Sequence, residues 1–245
     1  MILPALRLPT SPLIVALDVD NIAAAKAIVE ATKNYAGGYK IGLELWNAYA
    51  GLPDLLAFIK ALPHPWLLDI KLKDIGTTMA KALAALLPVL HVRATLPFGI
   101  TIHADEALTP LAFNQMQTAL RSFENGHHAP APLLLGVTVL SSTPANFLKQ
   151  MGMARIETST LLRTVNARNV GIHGIVCAAT QAASMRELWP EGKLLVPGCS
   201  LSGQPRDDQP NPTTYAQAYK AGATWLVLGR EHPKIAEIAA SLEPA

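Results

Sequence analysis

The amino-acid sequence predicts an α/β protein built as a single (β/α)8 barrel, and three observations support that fold class. First, the 245 residues contain eight short β-rich runs. Second, segments rich in Ala, Leu, Glu, Lys and Gln, which favour helix, separate these runs. Third, no Gly-, Pro- or Ser-rich linker divides the chain, so residues 1–245 are expected to form one domain of barrel size. A doubly wound open sheet is the alternative.

The predicted elements alternate regularly along the chain. The eight β-rich runs are LIVALDV from Leu13, YKIGLEL from Tyr39, WLLDIKL from Trp66, GITIHA from Gly99, LLLGVTVL from Leu133, GIHGIVCAA from Gly171, KLLVPG from Lys193 and TWLVLG from Thr224. The clearest helical segments between them are NIAAAKAIVEATKNY, TTMAKALAALL, LAFNQMQTALRSFENG and TTYAQAYKAG. Asp20 or Asn21 is expected to cap the first helix.

One irregular segment follows the seventh predicted strand. It spans residues 198–214, GCSLSGQPRDDQPNPTT, and its Gly, Pro, Asp and Asn content argues against helix or strand. Barrel enzymes build their sites from the loops at the C-terminal ends of the strands. We therefore interpret this segment as a candidate lid over the active face, and a flexible insertion is the alternative.

Composition argues against several other classes of protein. The formal net charge is +2, and the Lys and Arg residues are scattered, which does not predict a nucleic-acid partner. The N-terminal segment MILPALRLPTSPLIV has no apolar stretch long enough for a signal peptide or a membrane span, so we expect a cytoplasmic protein. Cys177 and Cys199 each lie in an apolar run and are interpreted as buried thiols rather than a disulfide or metal site.

Alternating charges end the third predicted strand, within LLDIKLKDIGTTM from Leu67. Because side chains alternate along a strand, Asp69 and Lys71 are expected to face the barrel axis with Leu67. The aliphatic residues at positions 68, 70 and 72 would then pack against the outer helices. Two inward charges are costly to desolvate unless they are paired or used. This pattern predicts a functional Lys/Asp array, with a structural ion pair as the alternative.

Three other predicted strands carry candidate site residues. Asp18 ends the first strand and Lys40 lies near the start of the second, and both interrupt apolar runs. Gly229 and Arg230 directly follow the eighth strand, in the region where many barrels bind phosphate through backbone N–H groups and a cation. A phosphate site is therefore expected there.

These residues together resemble the orotidine 5′-monophosphate decarboxylase family, over a region from about Leu13 to Pro233. The most specific element is DIKLKDIGTT, which resembles the family signature Asp-x-Lys-x-x-Asp-Ile-Pro-x-Thr. The supporting matches, in order, are ALD, KIGLEL, IHA, VTVLSS, VPG and LGR. The resemblance implies decarboxylation of orotidine 5′-monophosphate to UMP in pyrimidine biosynthesis, with no metal, flavin or other cofactor.

The resemblance also implies roles for individual residues. Lys40, Asp69, Lys71 and Asp74 would form a charged tetrad in which Lys71 donates a proton, and Asp74 would serve the neighbouring subunit of a homodimer. The implied substrate-binding residues are Asp18, Ile75, Thr78, Ser141, Pro197, Gln209, Gly229 and Arg230. Of these, Ile75 and Thr78 would complete the partner's pocket. Gln204 is the alternative to Gln209 as a phosphate contact.

Several positions depart from the family pattern. Gly76 stands where the signature has Pro, which is expected to loosen the backbone before the following threonines. Ser200 stands where many members have Arg, and Cys199 replaces an Ile, so one phosphate contact is expected to be absent or water-mediated. Asp105 and Glu106 stand where small residues are usual and are expected to cap the next helix.

Two other functions remain as alternatives. One is a metal-dependent sugar-phosphate barrel enzyme of the hexulose-phosphate synthase or ketogulonate-phosphate decarboxylase type, which would use a magnesium-bound enediolate. Such enzymes carry an acidic residue on the second strand, where this chain has Lys40. The other is a non-enzymatic phosphate-binding barrel, against which the intact Asp69, Lys71 and Asp74 argue.

Overall fold

Eight parallel strands close into a barrel. The structure, a computed structural model, describes residues 6–49, 53–93, 95–140, 142–144, 150, 152, 155–204 and 213–243. The barrel strands are β1 (Leu13–Ala16), β2 (Gly38–Gly42), β3 (Trp66–Leu72), β4 (Gly99–His103), β5 (Leu133–Val137), β6 (Gly174–Val176), β7 (Lys193–Val196) and β10 (Trp225–Leu228). They follow one another around the wall in chain order, and β10 pairs back onto β1. The predicted barrel is confirmed, and the open-sheet alternative is wrong.

Helices surround the barrel. They are α1 (Ile22–Thr32), α2 (Leu43–Tyr49), α3 (Pro53–Lys60), α4 (Gly76–Val92), α5 (Pro110–His127), α6 (Ile156–Val170), α7 (Ala182–Leu188), α8 (Tyr215–Lys220) and α9 (Ile235–Ser241), with 3-10 turns at Ala179–Gln181 and His232–Lys234. Of the two predicted caps for α1, the structure uses Asn21, whose Oδ1 accepts a hydrogen bond from the Ala24 N–H at 2.8 Å. Within the described residues, no helix combines the length and apolar character needed to cross a membrane.

The core has two layers, and β3 contributes to both. Leu67 lies in the cluster inside the barrel with Ile14, Phe98 and Trp225. Leu68 belongs to the larger cluster between the strands and the helices, against which the aliphatic residues at positions 70 and 72 also pack. This is the predicted alternation, and it places Asp69 on the inner face above Leu67.

The second strand is shorter than predicted. The predicted run YKIGLEL extends to residue 45, but β2 ends at Gly42 and α2 begins at Leu43. A Cβ atom at Gly42 would lie 2.9 Å from Asp18 Oδ1 and 3.3 Å from Lys40 Nζ. The chain therefore leaves the barrel wall at the residue whose missing side chain makes room for these two charged groups.

The irregular segment after β7 contains a small sheet, so the prediction of no strand there is wrong. β8 (Cys199–Ser200) pairs in parallel with β9 (Thr213–Thr214). The pairing gives hydrogen-bond partners to main-chain groups at both ends of the segment. Without it, these groups would have no main-chain partner where the segment leaves the barrel. Thr214 also caps α8 in a reciprocal capping box with Gln217. Both ends of the candidate lid are thus fixed to the barrel top.

Candidate active site

A cavity of about 570 Å³ opens at the C-terminal ends of the barrel strands. Most of its described lining residues come from the ends of β1, β2, β3, β5, β6, β7 and β10 and from the loops that follow them, and Ile28 of α1 and Tyr215 of α8 complete the lining. Five of the predicted site residues that carry a charge line it: Asp18, Lys40, Asp69, Lys71 and Arg230. The cavity therefore lies on the face where barrel enzymes place their sites.

A continuous chain of ion pairs crosses one side of this cavity. Lys40 Nζ lies 2.8 Å from Asp18 Oδ1 and 3.2 Å from Asp69 Oδ2. Lys71 Nζ lies 2.9 Å from the same Asp69 oxygen. The four charges alternate in sign, so each buried charge has an opposite neighbour that offsets part of its desolvation cost.

Burial and pairing set the protonation of the two innermost groups. Burial disfavours the ammonium of Lys40, but the carboxylates of Asp69 and Asp18 outweigh burial and raise the Lys40 pKa above its ordinary value. Burial likewise disfavours the Asp69 carboxylate, but Lys40 and Lys71 outweigh it and lower the Asp69 pKa. Both groups are therefore charged at neutral pH, although each residue is less than a tenth exposed.

Thr101 on β4 holds the central pair, and the sequence did not indicate this role. Its hydroxyl donates to Asp69 Oδ1 at 2.8 Å and accepts from the Lys71 main-chain N–H at 2.9 Å. Lys71 has a φ of 48°, the left-handed region that non-glycine residues rarely occupy, and the register between β3 and β4 shifts at this point. The strained turn aims the Lys71 ammonium back at Asp69, as active-site strain often does.

A second cluster of ion pairs, centred on Lys73, follows the Asp18–Lys71 chain in the sequence. Lys73 Nζ lies 2.7 Å from Asp105 Oδ2 and 2.8 Å from Glu106 Oε1. The prediction that the two acidic residues cap α5 is wrong, because Thr109 caps it through a hydrogen bond from the Ala112 N–H. The pairs instead join the loop after β3 to the loop after β4.

The opposite side of the cavity contains two of the predicted phosphate contacts, Gly229 and Arg230. The predicted substrate-binding residue Pro197 lines the cavity there as well. Ser200 is 1% exposed and does not line the cavity. Its hydroxyl oxygen lies 3.3 Å from the hydroxyl oxygen of Ser202. An absent or water-mediated phosphate contact at this position therefore stays a prediction.

The remaining predicted contacts of this region fall on the loops. Ser141 and Gln209 lie outside the described residues. Ser142, the neighbour of Ser141, lines the cavity, whereas the alternative phosphate contact Gln204 is exposed and does not line it. The Leu201 N–H donates to Glu231 Oε2 at 2.9 Å, which joins the base of the candidate lid to the loop after β10.

Three predicted residues point away from the cavity of their own chain. Asp74, Ile75 and Thr78 are all exposed, and none lines this cavity. Asp74 Oδ1 accepts a hydrogen bond from the Ile75 N–H at 2.7 Å. Ile75 is 69% exposed, which is unusual for a large apolar side chain next to a charged site. The chain thus presents this group on its surface.

Gly76 has a packing role that the resemblance to the family did not indicate. A Cβ atom at this position would lie 2.4 Å from Ala112 Cα and 2.4 Å from Gln115 Oε1. The first turn of α4 therefore packs directly on the backbone of α5. Any larger residue would separate the two helices.

Both cysteines are free and buried, as predicted. Burial raises the pKa of the Cys177 thiol to about 12 and, together with the nearby Cys177 and Glu231, that of the Cys199 thiol to about 12. Both residues line the cavity. At neutral pH they contribute apolar, uncharged surface rather than nucleophiles.

Comparison with known proteins places this chain in a family. A model of the orotidine 5′-phosphate decarboxylase / HUMPS family matches residues 11–232. An orotidine 5′-phosphate decarboxylase of Sphingopyxis alaskensis is 32% identical over 224 residues, which cover 90% of this chain and 91% of that protein. An orotidine 5′-phosphate decarboxylase of Rhodopseudomonas palustris is 35% identical over 221 residues, which cover 89% of this chain and 86% of that protein.

Solved structures share the fold over almost the whole chain. An orotidine 5′-phosphate decarboxylase of Lactobacillus acidophilus superposes with a TM-score of 0.70 at 22% identity, covering 96% of this chain and 100% of that one. An uncharacterized conserved protein of Geobacillus kaustophilus gives a TM-score of 0.74 at 21% identity, covering 95% of this chain and 100% of that one. With the family match over residues 11–232, the chain belongs to the orotidine 5′-phosphate decarboxylase / HUMPS family.

Proposed function

We propose that this protein decarboxylates orotidine 5′-monophosphate to UMP, a cytoplasmic step of de novo pyrimidine biosynthesis, without a metal or organic cofactor. The observation that carries the proposal is the chain of ion pairs from Asp18 through Lys40 and Asp69 to Lys71, at the mouth of the barrel. The names of the curated relatives give them this activity.

Lys71 has the central chemical role in the proposal. When the bond between C6 of the pyrimidine and its carboxylate breaks, the electron pair remains on C6 and carbon dioxide leaves. No conjugated electron sink spreads that charge, so fixed charges of the protein must stabilise it. The Lys71 ammonium faces the forming carbanion and then gives it a proton, so that UMP and carbon dioxide are the products. Solvent returns the proton to Lys71 afterwards.

Asp69 and Lys40 keep that ammonium in place. Asp69 accepts from Lys71 at 2.9 Å and is itself fixed by Thr101 at 2.8 Å. In the complex, Asp69 lies beside the substrate carboxylate, and the repulsion between them is relieved as neutral carbon dioxide forms. Lys40 bridges Asp69 to Asp18, which is free on its outer side to hold the ribose hydroxyls. A preorganised array of this kind does not have to rearrange during the reaction.

Binding energy from the phosphate is proposed to close the site. Gly229 and Arg230, with Gln209 from the loop, hold the phosphate, Pro197 and Ser141 contact the pyrimidine side, and the segment 198–214 acts as the lid. The link between Leu201 and Glu231 supports a coupling of lid and phosphate loop. A remote group can lower the barrier when its binding energy is used to assemble the site.

The position of Lys40 argues against the metal-dependent alternative. An enediolate mechanism needs a divalent cation ligated by carboxylates of this region. The Lys40 ammonium lies between Asp18 and Asp69, within 2.8 and 3.2 Å of their oxygens. It therefore fills the space between the two carboxylates in which a divalent cation would be bound.

We also propose a homodimer in which each chain completes the other's site. Asp74, Ile75 and Thr78 are exposed and lie outside the cavity of their own chain. Leu111, at the start of α5, is 67% exposed and lies next to Ala112, on which Gly76 packs. Ile75 and Leu111 are thus exposed apolar side chains on either side of this helix contact, next to Asp74, which suits an interface that carries Asp74 to a second subunit.

The reaction is tested by adding orotidine 5′-monophosphate in the presence of EDTA and following the pyrimidine absorbance. The proposal expects conversion to UMP at an unchanged rate with and without the chelator. Orotidine without the phosphate serves as the matched substrate, and its turnover number, not only its affinity, is expected to fall. Activity that disappears with EDTA and returns with magnesium would support the metal-dependent alternative.

The shared site is tested by mixing two inactive variants, Lys71→Ala and Asp74→Asn. In a mixed dimer, one of the two sites combines an intact Lys71 from one chain with an intact Asp74 from the other. Random mixing should therefore restore about a quarter of the wild-type activity. If Asp74 serves its own chain, both sites of the mixed dimer lack a residue and no activity returns.

A further inference from the structure

His232 lies at the phosphate side of the cavity and is not assigned a role by the family resemblance. It lines the cavity with Gly229 and Arg230 and begins the 3-10 turn His232–Lys234. Its Nδ1 lies 3.0 Å from the Gly229 carbonyl oxygen. A carbonyl oxygen only accepts hydrogen bonds, so Nδ1 carries the hydrogen and donates. The ring is thereby fixed to the loop that contains Arg230.

The second ring nitrogen of His232 is available for a ligand. Among the described residues, Nε2 has no hydrogen-bond partner, whereas Nδ1 is fully used by Gly229. A histidine anchored through one nitrogen presents the other in a defined direction, as histidines do when they bind an ion or an oxyanion. The anchor therefore preorganises Nε2 beside Arg230.

The phosphate side of the cavity has few cationic side chains. Lys40 and Lys71 lie in the ion-pair chain with Asp18 and Asp69. Among the described residues that line the cavity, Arg230 and His232 are the other side chains able to carry positive charge. A phosphate monoester carries nearly two negative charges at neutral pH, so one cation leaves it incompletely neutralised.

We propose that His232 is a further ligand-binding residue, which donates a hydrogen bond from Nε2–H to a phosphate oxygen. The inference rests on the proposed function, since the phosphate is that of the nucleotide. Donation from both ring nitrogens requires the protonated imidazole, whose charge pairs with that of the phosphate. The other charged groups on the elements around the ring are Glu231 and Lys234 on its own segment and Lys26 and Glu30 on α1, which packs against the 3-10 turn.

Two substitutions separate the anchor from the contact. In His232→Asn, the side-chain amide can still donate to Gly229 but cannot reach the position of Nε2. In His232→Gln, the longer amide can place a donor near the position of Nε2. Lys234→Gln is the control, because Lys234 is exposed, belongs to the same 3-10 turn and does not line the cavity.

The readout is the ratio of the dissociation constants of UMP and uridine, measured by calorimetry. His232→Asn should weaken UMP binding about tenfold and leave uridine unchanged, since one charge-assisted hydrogen bond to phosphate is lost. His232→Gln should recover part of that loss, and Lys234→Gln should change UMP binding less than twofold. Equal weakening of UMP and uridine, no weakening at all, or an equal effect of Lys234→Gln would overturn the proposal.

Neither ligand turns over, so the test is independent of catalysis. Ribose 5-phosphate is measured in parallel, because it carries the phosphate without the pyrimidine. A protein that binds ribose 5-phosphate in a His232-dependent way but fails to convert orotidine 5′-monophosphate would refute the proposed reaction and leave the His232 contact intact. A wild-type protein that binds neither UMP nor ribose 5-phosphate would overturn both.

Discussion

Lys71 and Lys73 are two residues apart in the chain, yet only one of them lines the cavity. Lys71 pairs with Asp69, whose side chain is 10% exposed, inside the barrel mouth. Lys73 lies outside the cavity lining and pairs with Asp105, whose side chain is 5% exposed, and with Glu106, which is 77% exposed. Both lysines make ion pairs shorter than 3 Å, so distance alone does not distinguish them.

The two lysines differ in where their ion pairs lie. The Asp69 partner of Lys71 also pairs with the buried Lys40 and lines the cavity, so these charges act directly on a ligand bound there. The partners of Lys73 do not line the cavity, and its pair with the exposed Glu106 is screened by water and salt. The same local sequence pattern thus links two loops at Lys73 and, in the proposed function, supplies the proton donor at Lys71. Position in the cavity, rather than ion pairing, distinguishes the site.

The largest expected effect on stability comes from removing the buried ammonium. Lys40→Met keeps the side-chain stem but leaves Asp69 with one cation fewer and Asp18 unpaired. We expect a loss of about 3 kcal/mol in the free energy of unfolding, since breaking a buried pair leaves an uncompensated charge. Lys73→Met is the matched comparison and should cost less than Lys40→Met, because the Lys73 ammonium is partly exposed and Asp105 keeps a hydrogen bond from the Ala107 N–H. Urea unfolding measures both, and equal losses would contradict the distinction between the two regions.

Disrupting the contact between Gly76 and Ala112 is expected to give the next largest loss of stability. Gly76→Ala places a Cβ atom 2.4 Å from the Ala112 Cα, so α4 and α5 must move apart. We expect a destabilisation of about 2 kcal/mol from overpacking. Gly126→Ala is the control, because nothing lies within 4 Å of its added Cβ and it is also helical. That variant should gain about 0.5 kcal/mol. Unchanged thermal stability of Gly76→Ala would show that the helices adjust freely.

The pH dependence of stability should reflect the inner carboxylate. Lys40 and Lys71 outweigh burial and lower the pKa of Asp69, so the folded protein binds this proton less readily than the unfolded chain. The stabilisation is therefore complete above the ordinary carboxylate pKa and is lost as pH falls through the lowered pKa. The difference in unfolding free energy between wild type and Asp69→Asn should be constant near neutrality and shrink below about pH 4. A difference that grows in acid would contradict this sign.

The smallest expected effect is a change in salt sensitivity. The cost of Lys73→Met in unfolding free energy should shrink in about 1 M NaCl, where the charge of the exposed Glu106 is screened within about 3 Å. The cost of Lys40→Met should persist in the same salt, because the pair is shielded from ions. Parallel urea titrations at low and high salt measure both, and a Lys40→Met cost that vanishes with salt would place that pair at the surface.

Much of the fold was predictable because it depends on periodicity. The alternation of aliphatic and charged residues along β3 predicted that Leu67 and Asp69 share the inner face, and the eight β-rich runs predicted the barrel. The structure has Leu67 in the inner cluster and a closed barrel. The end of β2 at Gly42 and the pairing of β8 with β9 were not predictable in this way. They depend on which atoms approach each other in three dimensions, and the runs of residue types do not encode those contacts.

The site was only partly predictable for the same reason. Charged residues on apolar strands are conspicuous, and they drew attention to Asp18, Lys40 and Asp69. Thr101 is not conspicuous, because Thr is an ordinary strand residue. The sequence feature that could have identified Thr101 as a site residue is its inward-facing position, two residues before the end of β4. His232 was missed because its anchor to the Gly229 carbonyl is a backbone contact within a turn. Neither the spacing nor the composition of the segment indicated it.

The most direct measurement compares kcat/KM for orotidine 5′-monophosphate in Lys71→Ala and Lys73→Ala. If the Lys71 ammonium stabilises the carbanion and supplies its proton, Lys71→Ala should lose roughly 10⁴-fold or more. Lys73→Ala removes an equal charge from the rim and should lose less than about tenfold. A Lys71→Ala variant that keeps most of its activity, or two variants that lose activity equally, would contradict the account.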